Sequence, residues 1–401
     1  SLIKIINIKQ IEDKISKKTA DLVVRSVAEF FKTSLSPEYF CDREQESAEI
    51  IMDIEGRNNK VMISPRRMGK TGLILHCFHK PELSENYYCF FIDIYSTLNL
   101  SDFIVLLGNK ICEVLKPKGK NAVEAFCRIV RSLEFRISFD SQGLLEASFG
   151  IGDIKDPQRT LDEIFSYINT ASKRCVVAID EFQQISKYPE AHTEALLRTY
   201  VQHCPNASFI FAGSQRHMLQ NMFFSASKPF YHSASVLSLK PIPLEKYSDF
   251  IIRHFRESGK RISAEEVAYV YELFEGHTWY IQSVFYLAYY MTTDICTAEI
   301  IRNAIEKKLD DSGEIYESIL YGIPEKQRGL LKALACEGKA ERIQSGAFIK
   351  KYNLSSASSV QSAAKRLLDS DLITTENNNF YSISDRFLAM WLKRKLCLNW
   401  I

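Results

Sequence analysis

The chain has 401 residues, too many for one hydrophobic core, so two or three domains are expected. Charged residues make up 25%, hydrophobic residues 46%, and the net charge is only +2, which excludes a disordered chain and global attraction to a polyanion. No apolar run approaches the roughly 20 residues of a membrane span. Lys4, Lys9, Glu12, Asp13 and Lys14 interrupt the start too early for a signal peptide, and the cysteines lack C-x-x-C spacing, so free thiols, a cytoplasmic location and no membrane partner are expected.

Residues 1–36 read as an N-terminal helical segment, with Ala20, Leu22, Val23, Val27, Phe30 and Phe31 forming the apolar face of a helix over 17–32. Asp42 is placed to cap a second helix through Glu55. The apolar strand Lys60–Ile63 then turns through Ser64-Pro65-Arg66-Arg67-Met68-Gly69 into a helix that carries Lys70, Thr71 and Gly72. Strand, loop and helix in that order are the context of a phosphate-binding loop, whose backbone N–H groups and helix N-terminus form an anion site. Lys70 would reach the β- and γ-phosphates of ATP, and the Thr71 hydroxyl would complete the coordination of Mg²⁺. Ser64 stands where G-x-x-x-x-G-K-[ST] has its first glycine; a left-handed backbone there would strain a serine. Lys70 is expected to be exposed while the loop is empty. His76 and His79 share one face of this helix without a complementary ligand pair elsewhere, which favours packing over metal binding.

A second strand is expected over Tyr87–Ile94, with Asp93 near its end, then a helix over Asp102–Leu115. The stretch from 116 to 156 departs from a simple α/β alternation. It holds a helical portion to about Leu133, then alternating Phe135, Ile137, Phe139 and Leu144, Phe149, Ile151 around Ser141-Gln142-Gly143, which predicts an inserted hairpin. Pro157 opens a helix to about Lys173. Cys175–Ile179 reads as a strand buried on both faces, ending in Asp180-Glu181 at the edge where open α/β sheets bind ligands. Asp180 would hold Mg²⁺ through water, and Glu181 would orient and deprotonate the attacking water. The strand Ser208–Ala212 ends in Gly213-Ser214-Gln215-Arg216: Ser214 or Gln215 would contact the γ-phosphate or that water, and Arg216 either balances charge or faces solvent.

After the strand Val236–Leu239, Pro241 and Pro243 mark a boundary, and only helices follow: 245–257, 264–275, 279–291 and 298–309. His277 and Trp279 fall at an inter-helix turn, with a core position expected for Trp279. From Pro324 the pattern is helix 325–336, helix 346–352, helix 358–368 with Ser355 to Ser359 as its cap, strand 372–375, turn 376–379 and strand 380–383, the plan of a winged helix. Residues 324–401 hold 13 basic and 7 acidic residues (+6) against 38 and 42 (−4) in the remainder, so basic charge is concentrated where a winged helix would meet double-stranded DNA. Winged helices also serve as protein-packing modules, which leaves a protein partner or self-association as the other expectation.

Several of these segments together resemble one family. Phe40-Cys41-Asp42-Arg43-Glu44, Pro65-Arg66-Arg67-Met68-Gly69-Lys70-Thr71, Ile179-Asp180-Glu181-Phe182-Gln183, Gly213-Ser214 and Gly276-His277-Thr278-Trp279-Tyr280-Ile281-Gln282 are similar to the motifs of the archaeal-type ATPase family within the AAA+-related STAND class of P-loop ATPases. The resemblance covers roughly residues 37 to 395. It implies that Phe40 and Arg43 lie against the adenine, and that a helical lid closes over the nucleotide. Where the family often carries Gly-Arg, this chain has His232-Ser233 after Pro229-Phe230-Tyr231, so the arginine available there for a phosphate or a neighbouring subunit is missing.

The fold class expected is α/β: a P-loop NTPase parallel sheet with a helical lid and a C-terminal winged helix. Its parts would be the N-terminal segment 1–36, an ATPase domain 37–240 with the 116–156 insertion, a lid 241–318 and a winged helix 319–401. The function expected is a Mg-dependent ATPase that binds ATP and ADP and acts as a nucleotide-dependent switch. The alternative is an ATP-regulated DNA-binding protein with little hydrolysis. Catalysis is assigned to Glu181, Lys70 and Ser214, nucleotide binding to Phe40, Arg43, the loop 65–69, Lys70, Thr71 and Gly72, and metal binding to Thr71 and Asp180.

Overall fold

The structure, a computed structural model, describes residues 40–115, 135–139, 145–149, 154, 156–376 and 379–396. The helix expected over 17–32, the segment 1–36 and the helical part of the insertion lie outside the described residues. The chain divides into two compact units, residues 1–242 and 243–401. The expected lid and winged helix thus fall within one unit.

In the first unit, in chain order, the elements are α1 (Glu44–Glu55), β1 (Lys60–Ile63), α2 (Lys70–His79), the short α3 (Pro81–Ser84), β2 (Tyr87–Asp93), α4 (Leu100–Leu115), β3 (Phe135–Phe139), β4 (Leu145–Phe149), α5 (Pro157–Asn169), β5 (Arg174–Asp180), a 3₁₀ turn (Phe182–Lys187), α6 (Thr193–Gln202), β6 (Ala207–Gly213), α7 (Arg216–Phe224) and β7 (Ser235–Ser238). Five strands form one parallel sheet in the order β2-β5-β6-β1-β7. Side chains alternate across it. Val61, Ile63, Val177, Ile179, Phe209 and Phe211 pack under α4 to α7, while Met62, Val176, Ala178, Ile210 and Ala212 pack under α1 and α2. Covering both faces explains why β1, β5 and β6 are continuous apolar runs in the sequence. The inserted hairpin is present as the antiparallel pair β3 and β4, with Phe135 opposite Phe149.

Asp42 does not cap α1. Asp42 and Arg43 both take left-handed backbone (φ 57° and 78°), and the helix begins after Arg43 without a side-chain cap. The chain turns sharply here and buries the Arg43 guanidinium, whose Nη1 donates to Glu46 Oε1 at 2.6 Å and Nη2 to the Lys240 carbonyl at 2.7 Å. These bonds fasten the entry segment to the residues that follow β7.

The second unit contains α8 (Leu244–Glu257), β8 (Arg261–Ile262), α9 (Ala264–Leu273), α10 (Thr278–Met291), β9 (Ile295–Cys296), α11 (Ala298–Asp311), α12 (Gly313–Gly322), α13 (Glu325–Glu337), β10 (Ala340–Glu341), α14 (Gly346–Lys351), α15 (Ala357–Asp369), β11 (Ile373–Glu376), β12 (Phe380–Ile383) and α16 (Arg386–Lys395). Strands β10, β12 and β11 form an antiparallel sheet beside α13, α14 and α15, the winged-helix arrangement. Ser356 caps α15, accepting from the Ser359 N–H. The final helix, α16, joins the two parts of this unit. Phe387 packs edge-on to Phe274 and Tyr280, Trp391 packs on Tyr316, and Arg386, Arg394 and Lys395 pair with Glu275, Asp310 and Glu317. Much of the C-terminal basic excess is therefore matched by acids of the preceding helices. Among the described residues, no helix is long and apolar enough to cross a membrane. Cys41, Cys77, Cys89, Cys175, Cys204, Cys296 and Cys336 are free thiols, with burial pushing Cys175 and Cys204 up to about 12.

Candidate functional site

Strand order sets the geometry of the site. β6 lies between β1 and β5, so the ends of the loop strand and the carboxylate strand stand about 10 Å apart with the end of β6 between them. That spacing leaves room for a small anionic group above β6 with side chains on both sides.

The loop after β1 is turned by two left-handed residues, Arg67 (φ 66°) and Gly69 (φ 88°). A Cβ on Gly69 would meet nothing within 4 Å among the described residues, so glycine serves here for its backbone conformation. Ser64 is not among the positive-φ residues, so serine at the first-glycine position carries no left-handed strain. Lys70, expected to be exposed, is instead only 6% exposed, with Nζ 3.4 Å from the Pro65 carbonyl oxygen. The short loop folds back over its own helix start, and this encloses the lysine. Burial pulls the Lys70 ammonium below its ordinary value, against the upward pull of Asp180 and Glu181, while Arg66 depresses it further. An arriving phosphate would supply the charge that this buried cation lacks.

Two chains of hydrogen bonds join the loop to the acidic edge. The Thr71 hydroxyl donates to Asp180 Oδ2 at 2.6 Å, and Asp180 Oδ1 accepts the Glu181 N–H at 2.9 Å. On the other side, Arg66 Nε donates to Ser214 Oγ at 3.1 Å, and Ser214 Oγ donates to Glu181 Oε2 at 2.9 Å. Gln183 Nε2 also donates to Glu181 Oε2, at 2.5 Å. Glu181 itself has left-handed backbone (φ 56°), which turns the chain out of β5 and into the 3₁₀ turn. The turn is pinned by Phe182, whose buried ring packs on Phe211 at 4.5 Å and edge-on to Phe230 at 5.1 Å. Phe230 belongs to the segment that lacks the family's arginine, and here it is a core residue.

Three residues named in the sequence without a site role also belong to this edge. Asp93 pairs in register with Asp180, giving a third carboxylate on this edge; burial, together with Asp180 and Glu181, raises it above the ordinary range despite its bond from the Tyr95 N–H. The argument applied to Asp180, an acid ending an apolar strand, would have found it. Gln183 and Gly213 are the others: their contact depends on a turn and a strand end about thirty residues apart. Gln215 precedes α7, and Arg216 faces solvent at its start.

Thr71 and Asp180 present a hydroxyl and a carboxylate to each other, hard oxygen donors of the kind that suits Mg²⁺. Phe40 stacks on His76 of α2 (centroids 3.8 Å apart, planes 3° apart), and His79 Nδ1 bonds the Leu75 carbonyl. Both histidines thus have packing or backbone roles. Phe40 and His76 form a half-buried flat face beside α2, whereas a contact of Arg43 with a base would require its bonds to Glu46 and Lys240 to open. In the second unit, His277 bonds the Phe274 carbonyl. Trp279 is 40% exposed rather than a core residue, with Lys308 over its ring at 5.6 Å. Lys351, just before α15, pairs with Glu337 at 2.7 Å, while Lys365 and Arg366 lie on the exposed face of α15.

Comparison with known proteins agrees with this architecture. Residues 40–284 match the family described as an ATPase domain predominantly from Archaea, and residues 314–394 match a probable winged helix domain. No curated protein matches the chain. Among solved structures, it is similar to a Walker-type ATPase of Pyrococcus abyssi (TM-score 0.60, 18% identity, covering 90% of this chain and 98% of that one). It is also similar to the Aeropyrum pernix ORC2 protein in ADPNP–ADP complexes (TM-score 0.56, 13% identity, 92% and 98%) and to the ORC1 protein of the same organism in complex with DNA (TM-score 0.51, 11% identity, 90% and 95%).

Proposed function

The chain belongs to the family of ATPase domains found predominantly in Archaea, and from that membership we propose that it binds Mg–ATP at the β1–α2 loop and hydrolyses it as a nucleotide-dependent switch. The observation that supports this most is the double connection of the loop to the acidic edge, Thr71 to Asp180 and Arg66 through Ser214 to Glu181. Lys70 and the loop N–H groups would hold the β- and γ-phosphates. Thr71 and Asp180 would hold Mg²⁺, directly or through water, and the ion supplies charge neutralisation between phosphate oxygens when bound. Glu181 accepts a proton from water as that water's oxygen attacks the γ-phosphorus, and the bond to the β–γ bridging oxygen breaks toward ADP. Ser214, between Arg66 and Glu181, would donate to the γ-phosphate or the water by releasing its bond to Glu181. Phe40, with His76 beside it, offers a face for the adenine, and the free thiols suit a cytoplasmic location.

The test is ATP binding by calorimetry with and without Mg²⁺, and turnover at several protein concentrations. Turnover that is independent of concentration indicates a complete site within one chain. A rate per chain that rises with concentration indicates that copies complete each other.

A second reading concerns α15. Unlike Lys351, Arg386, Arg394 and Lys395, Lys365 and Arg366 lie on its solvent face together with Ser358, Gln361 and Ser362. A helix presented in this way fits a DNA major groove, and the ORC1 neighbour was solved in complex with DNA. Each phosphate contact contributes close to one unit of salt slope. Lys365→Ala/Arg366→Ala should therefore weaken duplex binding and flatten its salt dependence while ATP affinity stays unchanged. If the parent retains no duplex at low salt, this reading fails and the winged helix is a protein-facing module.

A further inference from the structure

We propose that Gln183 is a positioning residue: its side-chain amide fixes the carboxylate of Glu181 so that Oε2 is held and Oε1 is left to receive the proton from water. The proposal rests on Glu181 being the base.

Three observations carry it. Among the described residues, the side-chain hydrogen bonds to Glu181 end on Oε2, one from Gln183 Nε2 and one from Ser214. The Gln183 side chain is 2% exposed, yet its Oε1 has no hydrogen-bond partner among the described residues. A buried amide with an orphan acceptor is destabilising relative to a satisfied or apolar residue of the same shape, so packing alone does not account for a glutamine there. Finally, Gly213 is bare at the point where Gln183 approaches: a Cβ on it would lie 2.0 Å from Gln183 Oε1. Gly213 is not a positive-φ residue, so glycine is needed here for space and not for conformation. A glutamine buried at a disadvantage and a strand end kept empty to admit it both make sense if the donor Nε2 is what the site requires.

The backbone is arranged to the same end. Ser186 Oγ donates to the Gln183 carbonyl at 2.8 Å, and Gln184 Nε2 donates to the Thr97 carbonyl at 2.9 Å, which ties the turn to the loop following β2. Phe182, between base and glutamine, is locked in the aromatic core. Glu181 is therefore gripped by a rigid turn on one side. On the other, Ser214 answers to Arg66 of the phosphate loop and can respond to bound nucleotide.

Gln183→Met tests this directly, because methionine fills the same volume without a donor or an orphan acceptor. The proposal expects kcat to fall roughly 10- to 100-fold, as for a misplaced catalytic group, with KM for ATP and affinity for a non-hydrolysable ATP analogue unchanged within about twofold and Tm equal to or above the parent's. Gln183→Asn retains the amide but withdraws it; it should lose kcat in the same way, and it serves if the methionine variant does not fold. Parent turnover in Gln183→Met, or losses of Tm and nucleotide affinity that track the loss of rate, would overturn the positioning role. Glu181→Gln, measured alongside, separates the two claims. If it turns over at the parent rate, the base assignment and with it this inference fall; if it is slow while Gln183→Met is normal, only the inference falls.

Discussion

Gly213→Ala is the smallest change that tests the packing of the site. Its added Cβ would sit 2.0 Å from Gln183 Oε1 and 2.9 Å from Leu219 Cδ1, so the amide must retreat by about 1.4 Å to reach the 3.4 Å of ordinary contact. The 3₁₀ turn is pinned by the Phe182 cluster, and the retreat has to come from side-chain torsions that break the 2.5 Å bond to Glu181. Overpacking of this kind costs about 1–3 kcal/mol. In a unit of this size that lowers Tm by roughly 2–12 °C, read by differential scanning calorimetry. Because the carboxylate of Glu181 loses one of its two holders, kcat should fall about tenfold or more while ATP still binds. A Gly213→Ala protein with the parent's Tm and turnover would refute the steric argument, since a methyl group cannot occupy that space unnoticed.

Lys70→Ala should weaken ATP binding roughly 10- to 150-fold, the worth of a charge-assisted bond to phosphate; unchanged affinity by calorimetry would remove the phosphate-loop assignment. A pH effect follows from His277 in the second unit. Burial, then Arg386, hold its imidazole below the ordinary range, against the Phe274 carbonyl and Glu275. With the folded value depressed, the unfolded chain takes up the proton first, so stability present above about pH 6.5 is lost as pH falls toward the folded value. His277→Asn, which removes the titrating ring, should lose less Tm than the parent between about pH 7.5 and 5.5; equal losses would contradict this.

What was legible in the sequence follows from what is local. The β1–α2 loop, Asp180-Glu181, the inserted hairpin and the winged-helix elements each announce themselves through a run, a turn or a cap lying within a few residues. The features that escaped depend on contacts between distant segments. Lys70 was expected in solvent because nothing in its own neighbourhood buries it; the loop and acidic edge together do. The Arg43 bonds to Glu46 and Lys240 appear only once the end of β7 is brought beside α1. The basic C-terminal stretch looked like a free cationic surface, until α16 brought Arg386, Arg394 and Lys395 against the acids of α9 to α12 or their flanking turns. Gly213, beyond closing a strand, is kept bare for Gln183, a side chain thirty positions earlier in the chain.

The central claim, that Glu181 activates water in a site that binds ATP independently of it, is tested most directly by comparing Glu181→Gln with the parent in one steady-state turnover assay, with ATP binding measured on the same preparations. The substitution keeps shape and hydrogen-bonding capacity but removes the base. Binding should persist, while turnover falls by about 10²- to 10⁴-fold. Turnover at the parent rate in Glu181→Gln would contradict the account.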